Sequence, residues 1–517
     1  MVFTRRRKWQ LPFQLSVDSV GIPVVKSVKY LGVWLDSSLG WGPHIQYTSE
    51  KALRVLFACN KAIGKSWGLS PKVSRWVYVA LVRPILEYCS VVWSHSLEVK
   101  ARLAPISKVH RLACLMVSRA YRSAPTECIE ILAGVQPIQL FLQGRAMLTA
   151  NRLSVNGHWE NDYQAFYPGR LSSHALLVDS WRAQVPLLSG PIDCIPPLLV
   201  VDRPFSVVIL PRAEATETAS ILKEDAVSVF TDGSKDDTGT GAGFVCWAGS
   251  SPLGSSSFSL GSSPTVFQCE VYAISRACEF ILSLGSVPSS VYIFSDSQAA
   301  LRALNRSIIK SKLIQECLSL LSAVASRSQV VVLSWVPGHS GIHGNEKADE
   351  LARAGSRQLP VGPEPFITFS PSLFKAGVRE WTELKQQERL GSSSISKKSQ
   401  IPSQALLDTQ FSPSTHSHQG MWILSQLISG HSALNYFQNL IGHVNEALCS
   451  DCGEAPETSE HFLCSCSAFS PLRISTFGIS PVSLDYLLYY CSTAQLIRYG
   501  SRSGRFDRGK FSGRPPS

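Results

Sequence analysis

The chain has no uninterrupted apolar run long enough to cross a bilayer. Its first residues, "MVFTRRRKWQLPFQL", lack the apolar stretch and small-residue cleavage site of a secretory signal. The expectation is an intracellular protein, nuclear or cytoplasmic, with no membrane partner. A secreted disulfide framework is also excluded, because most of the 14 cysteines are scattered through helical and strand-like patterns. Cys246, Cys269 and Cys278 sit in apparent core elements and need only act as small hydrophobes. Acids are scarcer than bases, 38 against 49, and the formal net charge of +11 makes a polyanion, most simply nucleic acid, the expected partner. At 517 residues, 44% of them hydrophobic, the chain is too long for one core, so two to four units are expected.

From Lys29, "KYLGVWLDSSLGWGPHI" reads as a short strand with a glycine-rich turn, and helical periodicity then runs to about Ala150. Residues 151–225 carry prolines and small apolar clusters without sustained period, and read as a connector. An α/β unit follows over 226–356. The strands "AVSVF", "AGFVCWA" and "SSFSL" precede the helix "FQCEVYAISRACEFILSL" and the strand "VYIFSD". The helices "SQAALRAL" and "KLIQECLSLLSAV", the strand "QVVVLSWV" and the helix "NEKADELARAG" complete it. That order describes a mixed five-stranded sheet with helices on both faces. Residues 357–419 read as linker, 420–496 as a helical segment bearing Cys and His, and 497–517 as a disordered basic tail.

Four acids in the α/β unit stand where isolated charge is unexpected. Asp232 ends the first strand, Asp296 ends "VYIFSD", Glu270 lies beside the apolar stripe of its helix, and Asp349 is on the last helix. Side chains at the carboxyl ends of adjacent parallel strands meet at the switch point of such a sheet, where the helices can deliver the other two. Four clustered carboxylates repel one another unless a divalent cation neutralises them, which is the composition of an oxygen-ligand Mg²⁺ or Mn²⁺ site. Taken singly, each acid reads as a turn or surface residue; Asp236 and Asp237 are read as solvated turn acids. His339 lies in a glycine-rich, mobile loop, Asn345 reads as the cap of the last helix, and His343 is a loop residue.

"TDGS", "CEVYAI", "SDSQAAL" and "WVPGHSGIHGNEKADELA", in this order, resemble type 1 ribonuclease H, including the interval of 38 residues from Asp232 to Glu270. The resemblance implies cleavage of the RNA strand of an RNA–DNA hybrid. It implies that Asp232, Glu270, Asp296 and Asp349 hold two Mg²⁺ ions, with Mn²⁺ as an alternative, that His339 is a proton shuttle, and that Asn345 touches substrate. Thr265 lies where the family uses a threonine on a DNA phosphate, but "VFQC" replaces the neighbouring asparagines, and the basic handle of some cellular members is missing. Grip on nucleic acid is therefore expected elsewhere, with Arg502, Arg505 and Arg508 of the tail as candidates.

"KYLGVWLD" and "LVRPILEYCSVVW" resemble the end of the reverse transcriptase region of non-LTR retrotransposon Pol polyproteins, while the polymerase's aromatic-Ala-Asp-Asp motif does not occur. The expectation is a Pol remnant without polymerase activity of its own. In "CSDCGEAPETSEHFLCSC", Cys449, Cys452, His461 and Cys466 have spacing that can close a tetrahedral Zn²⁺ shell, with Cys464 as an alternative fourth ligand and free buried thiols as the plain reading. The pattern also resembles the C-terminal zinc knuckle of those polyproteins. Two competing functions remain: a catalytically idle nucleic-acid-binding remnant, and a transposase- or integrase-like nuclease on the same sheet plan.

Overall fold

The computed structural model describes residues 1, 15–61, 68–155, 173–220, 226–286, 288–359, 367–392 and 416–506. The chain divides into two compact units, one of residues 148–378 and one combining 1–147 with 379–517.

In the first unit, β1 (Ser206–Val208) and α1 (Arg212–Ser220) precede β2 (Ala226–Lys235), β3 (Thr240–Ala248) and β4 (Ser251–Gly261). Then come α2 (Val266–Ser283), β5 (Ser290–Ser295), α3 (Gln298–Leu304), α4 (Lys312–Ala325), β6 (Val330–Trp335) and α5 (His343–Arg357). The strands form one mixed sheet in the order β1-β6-β5-β2-β3-β4. β2, β3 and β4 pair antiparallel, whereas β5 runs parallel to both β2 and β6. One face of the sheet, with Val227, Val229, Phe244 and Val291, packs on α2 and α4 through Ile274, Ile281, Leu318 and Leu321. The opposite face presents Phe230, Val245 and Phe294 to Ala348 of α5. Cys246, Cys269 and Cys278 are buried as expected, and all 14 cysteines are free.

The sheet has six strands, not the five expected. The sixth, β1, comes from the stretch read as connector and pairs parallel with β6, Val207 opposite Leu333. Other parts of that stretch also belong to the unit. The buried Asp193 carboxylate accepts from Ser311 Oγ and Leu313 N at 2.9 Å, holding the start of α4, and Phe205 enters the core. Prolines mask this integration in sequence because each contribution is only two or three residues long.

The other unit holds two apolar cores. In one, Trp41, Ile45, Tyr78, Trp93, Val109 and Val117 join the N-terminal helices. In the second, Leu132 packs with Leu390, Met421, Leu427, Phe462, Tyr499 and Phe506. The region read as linker contributes the helix Pro371–Ser392, while much of its remainder, 360–366 and 393–415, lies outside the described residues. The tail expectation needs correction too. The helix Thr493–Arg502 runs into it, and Phe506 is only 2% exposed, because Tyr499 and Phe506 complete the second core. Among the described residues no single helix is long and apolar enough to cross a membrane.

Candidate active site

The parallel pairing of β2 and β5 sets Thr231 opposite Ser295, so Asp232 and Asp296 come side by side: Asp296 follows the last residue of β5, whereas Asp232 does not end its strand as the sequence suggested, since β2 runs on to Lys235 with Asp232 paired to Gly243. α2 supplies Glu270 from its first turns. It can come this close because Gly233 has no side chain: a Cβ there would lie 2.5 Å from the Glu270 backbone nitrogen. On the opposite face Gly243 does the same for α5, its missing Cβ falling 2.6 Å from Ala352 N. Thus a glycine on β2 admits α2, and a glycine on β3, paired with Asp232, admits α5.

Asp232, Glu270 and Asp296 each offer an oxygen within 4.8 Å of the others, and Asp349 hydrogen-bonds Asp232 from α5. Asp349 also pairs with Arg353 at 2.8 Å, one turn along its helix. Burial, then the charges of Asp296 and Asp349, push the Asp232 carboxyl up to about 8. Glu270 is raised well above the carboxylate range, chiefly by burial and next by Asp232. Asp296 is raised by burial and eased back by a hydrogen bond from Asn345. Glu270 Oε2 is buried with no hydrogen-bond partner. A buried, unpartnered carboxylate oxygen facing two other acids suits a divalent cation and little else, so this donor set fits the ions expected from the sequence.

His339 lies on the loop after β6 with a left-handed φ of 51°, and its charge acts on Asp296. Asn345 does not cap α5. The helix begins at His343, behind Ile342, and Asn345 is buried in its first turn with its amide toward Asp296. Gly344, pressed on the Phe230 ring where a Cβ would meet it at 2.3 Å, fixes that earlier start. Thr265 caps α2: its hydroxyl accepts from Gln268 N at 3.3 Å, and Gln268 Oε1 accepts from Thr265 N at 3.2 Å. Asp236 is more than a solvated acid, since it closes its turn onto Thr238 and accepts from Ser356 Oγ at 3.0 Å. His343 is exposed, beside Trp247. Sequence reasoning passed over Trp335, whose indole Nε1 donates to the Asp296 carbonyl at 3.0 Å, and Gly233; their presence inside "WVPGH" and "TDGS" was the available signal.

At the C-terminus, donor atoms of Cys449, Cys452, His461 and Cys466 lie within 4.8 Å of one another. Cys449 and Cys466 sulfurs are 3.8 Å apart, and His461 Nε2 is 3.3 Å from Cys452 Sγ. Gly453, at φ 70°, turns the chain so that the Glu454 N–H donates to Cys452 Sγ at 3.5 Å. Cys464 is directed into the apolar core instead, where burial pushes its thiol up to about 12. The four-residue set fits a soft tetrahedral ion.

The tail arginines separate. Arg505 is engaged by the fully buried Glu457, to which its Nε donates at 2.8 Å, and by Asp451, so it is unavailable as a phosphate clamp. Arg502 is exposed, and Arg508 lies outside the described residues.

The RNase H family model matches residues 224–357. The chain is 29% identical over 130 residues to the Retrovirus-related Pol polyprotein from type-1 retrotransposable element R1 4 of Nasonia vitripennis, a match covering 25% of this chain and 33% of that one. It is 29% identical over 122 residues to the putative 115 kDa protein in type-1 retrotransposable element R1DM of Drosophila melanogaster, covering 23% and 12%. The chain therefore spans a third or less of the length of these two relatives. Among solved structures it aligns with RNase H1 from Halobacterium salinarum at 19% identity and a TM-score of 0.22, covering 25% of this chain and 96% of that one. With the family model on the same residues that carry the acids, residues 224–357 are a ribonuclease H domain in a chain homologous to the Pol polyproteins of R1 retrotransposable elements.

Proposed function

We propose that this chain hydrolyses the RNA strand of an RNA–DNA hybrid, using Asp232, Glu270, Asp296 and Asp349 to hold two Mg²⁺ or Mn²⁺ ions. The observation that carries this reading is the convergence of three carboxylates within 4.8 Å, one of them with a buried, unpartnered oxygen. When bound, a pair of divalent cations lowers the pKa of an attacking water and offsets charge developing on the leaving oxygen. The protein's part is to hold its acids fixed in one cluster, where burial and mutual repulsion favour their protonated forms until a bound cation would offset the charge. Asn345 and the Trp335 indole orient Asp296 from two sides, and Gly233 brings Glu270 against Asp232. His339, on its glycine-rich loop, takes up and releases a proton at an imidazole nitrogen near the departing product.

We further assign a structural zinc ion to Cys449, Cys452, His461 and Cys466, on the strength of their donor set and spacing. Nucleic-acid binding by Thr265, Asn345, Arg502 and Arg508 belongs to the same proposal, whereas Arg505 is set aside as a structural ion-pair residue.

The deciding experiment incubates purified full chain with labelled RNA–DNA hybrid, duplex RNA and duplex DNA in Mg²⁺. Cleavage confined to the RNA of the hybrid, and lost in Asp232→Asn or Asp296→Asn, is expected. Wild-type rates in either variant would remove these carboxylates from the chemistry. A well-folded wild type that binds hybrid without cutting it would instead favour a catalytically idle nucleic-acid-binding role.

A further inference from the structure

The short helix Leu484–Tyr490 has two unlike sides. Leu487 is 1% exposed and belongs to the apolar core shared with Leu496, Tyr499 and Phe506. The other side carries Tyr486, Tyr489 and Tyr490, which are 37%, 54% and 78% exposed. The rings of Tyr486 and Tyr490, one helical turn apart, lie with centroids 5.3 Å apart and planes inclined by 33°. None of the three tyrosines on this seven-residue helix belongs to the apolar core beneath it, and Tyr489 and Tyr490 leave more than half of their surface to water.

Cys491 and Ser492 join this helix to the next, Thr493–Arg502, whose start is fixed by a capping box between Ser492 and Gln495. Arg498 and Arg502 lie one turn apart on that helix, and both are exposed. Among the described residues no acid forms an ion pair with either, in contrast to Arg505, which is bound to Glu457 and Asp451. A helix with exposed tyrosines is thus followed, two residues on, by one with two exposed arginines, and Leu487 and Leu496 seat both helices on one core.

We infer that Tyr486, Tyr489 and Tyr490 with Arg498 and Arg502 form a docking surface for single-stranded nucleic acid. Unpaired bases present π-faces to the tyrosine rings, and the backbone phosphates meet the guanidinium groups. Charge complementarity selects this occupant: a neutral protein partner would use the rings but leave two arginines unpaired, and a second copy of the chain would set like charges together. A duplex buries its base faces and cannot stack on the rings, so the surface discriminates strandedness and not sequence. This inference does not depend on the nuclease being active.

The test uses the full chain carrying Asp232→Asn, so that substrate survives, and fluorescein-labelled oligo(U) and oligo(dT) of about 15 nucleotides, read by anisotropy between about 50 and 200 mM KCl. Tyr486→Ala with Tyr490→Ala should raise Kd by about tenfold to a hundredfold at every salt concentration with the salt slope kept, whereas Tyr486→Phe with Tyr490→Phe should bind as the parent does. Arg498→Ala with Arg502→Ala should instead weaken binding and lower the salt slope by roughly 1 to 2. Circular dichroism and the thermal midpoint establish that the alanine variants are folded; if the tyrosine pair is not, the Arg498 and Arg502 variant and its slope decide. Single-strand affinity and slope unchanged in folded variants would overturn the inference. So would a loss of self-association in sedimentation with oligonucleotide binding intact, which would give the face to a second copy.

Discussion

Asp232 is the residue on which the electrostatics turn. In the unfolded chain its carboxyl ionises near 3.8, and in the fold burial and neighbouring acids hold the proton until about 8. The stability this group contributes without metal is complete below pH 4 and is lost as pH rises through 8, because the native state binds the extra proton over that window. Bound divalent cation reverses the preference by requiring the ionised form. We therefore expect the increase in thermal midpoint caused by Mg²⁺ to grow between pH 6 and 8, measured by differential scanning calorimetry. A metal-induced increase that is flat across this range would mean Asp232 does not titrate with binding. Without metal, Asp232→Asn should be at least as stable as wild type at pH 8 and above, where it removes a buried repulsion, and it should lose most of the Mg²⁺ response together with cleavage. His339→Ala separates the shuttle from the ligands: turnover should fall by about 10², while the Mg²⁺ titration followed by calorimetry stays unchanged.

At the level of helices and strands, the clustering of Asp232, Glu270 and Asp296 could be read from the chain because two of them lie toward the carboxyl ends of strands whose order makes them neighbours, and the third lies beside the apolar stripe of the helix that follows. What was not legible depended on packing between elements. Asn345 reads as a cap because it is a good capping residue before an apolar pattern, yet Gly344 packed on Phe230 begins α5 at His343 and turns Asn345 inward. The short β1 strand was hidden because three residues carry no period. Thr265 illustrates the converse: the same hydroxyl that the resemblance places on a phosphate is engaged in a local capping box visible in "TVFQ". The glycine of β3 gives an element-scale prediction. In Gly243→Ala a Cβ 2.6 Å from Ala352 N must displace α5, so stability should fall by about 1–3 kcal/mol, and hybrid cleavage should fall with it because Asp349 rides on that helix. Urea unfolding and a rate at saturating Mg²⁺ check the two effects. A variant that loses stability but keeps its full rate would mean that the position of Asp349 matters little.

At the scale of the whole molecule, the sequence divides by composition into a helical beginning, an α/β unit and a Cys/His end, whereas the fold joins the beginning to the end. Leu132 shares a core with Met421, Phe462 and Phe506, and Arg119 bonds His418, 299 residues away. Nothing in either segment's own periodicity names its partner, because an apolar stripe records only that it is buried. The consequence falls on the C-terminus. A chain ending at residue 497 loses Tyr499, whose hydroxyl donates to the Phe462 carbonyl at 2.7 Å, and Phe506, both inside that shared core. Removing one such aromatic costs about 3–5 kcal/mol, so this truncation should unfold the unit formed by the two ends while the α/β unit keeps its own transition. A chain ending at residue 507 retains both side chains and lacks Arg508, Lys510 and Arg514. Its thermal transitions should match wild type. Its salt slope for hybrid binding should fall by about 0.9 for each phosphate those side chains neutralise in the full chain. Its rate at saturating hybrid should be unchanged, since phosphate binding of this kind serves ground and transition states alike. Calorimetry and a salt titration on the two truncations distinguish these outcomes. If the longer truncation leaves every transition in place, Tyr499 and Phe506 do not hold the two ends together; if the shorter one leaves the slope unaltered, the last basic residues do not touch phosphate.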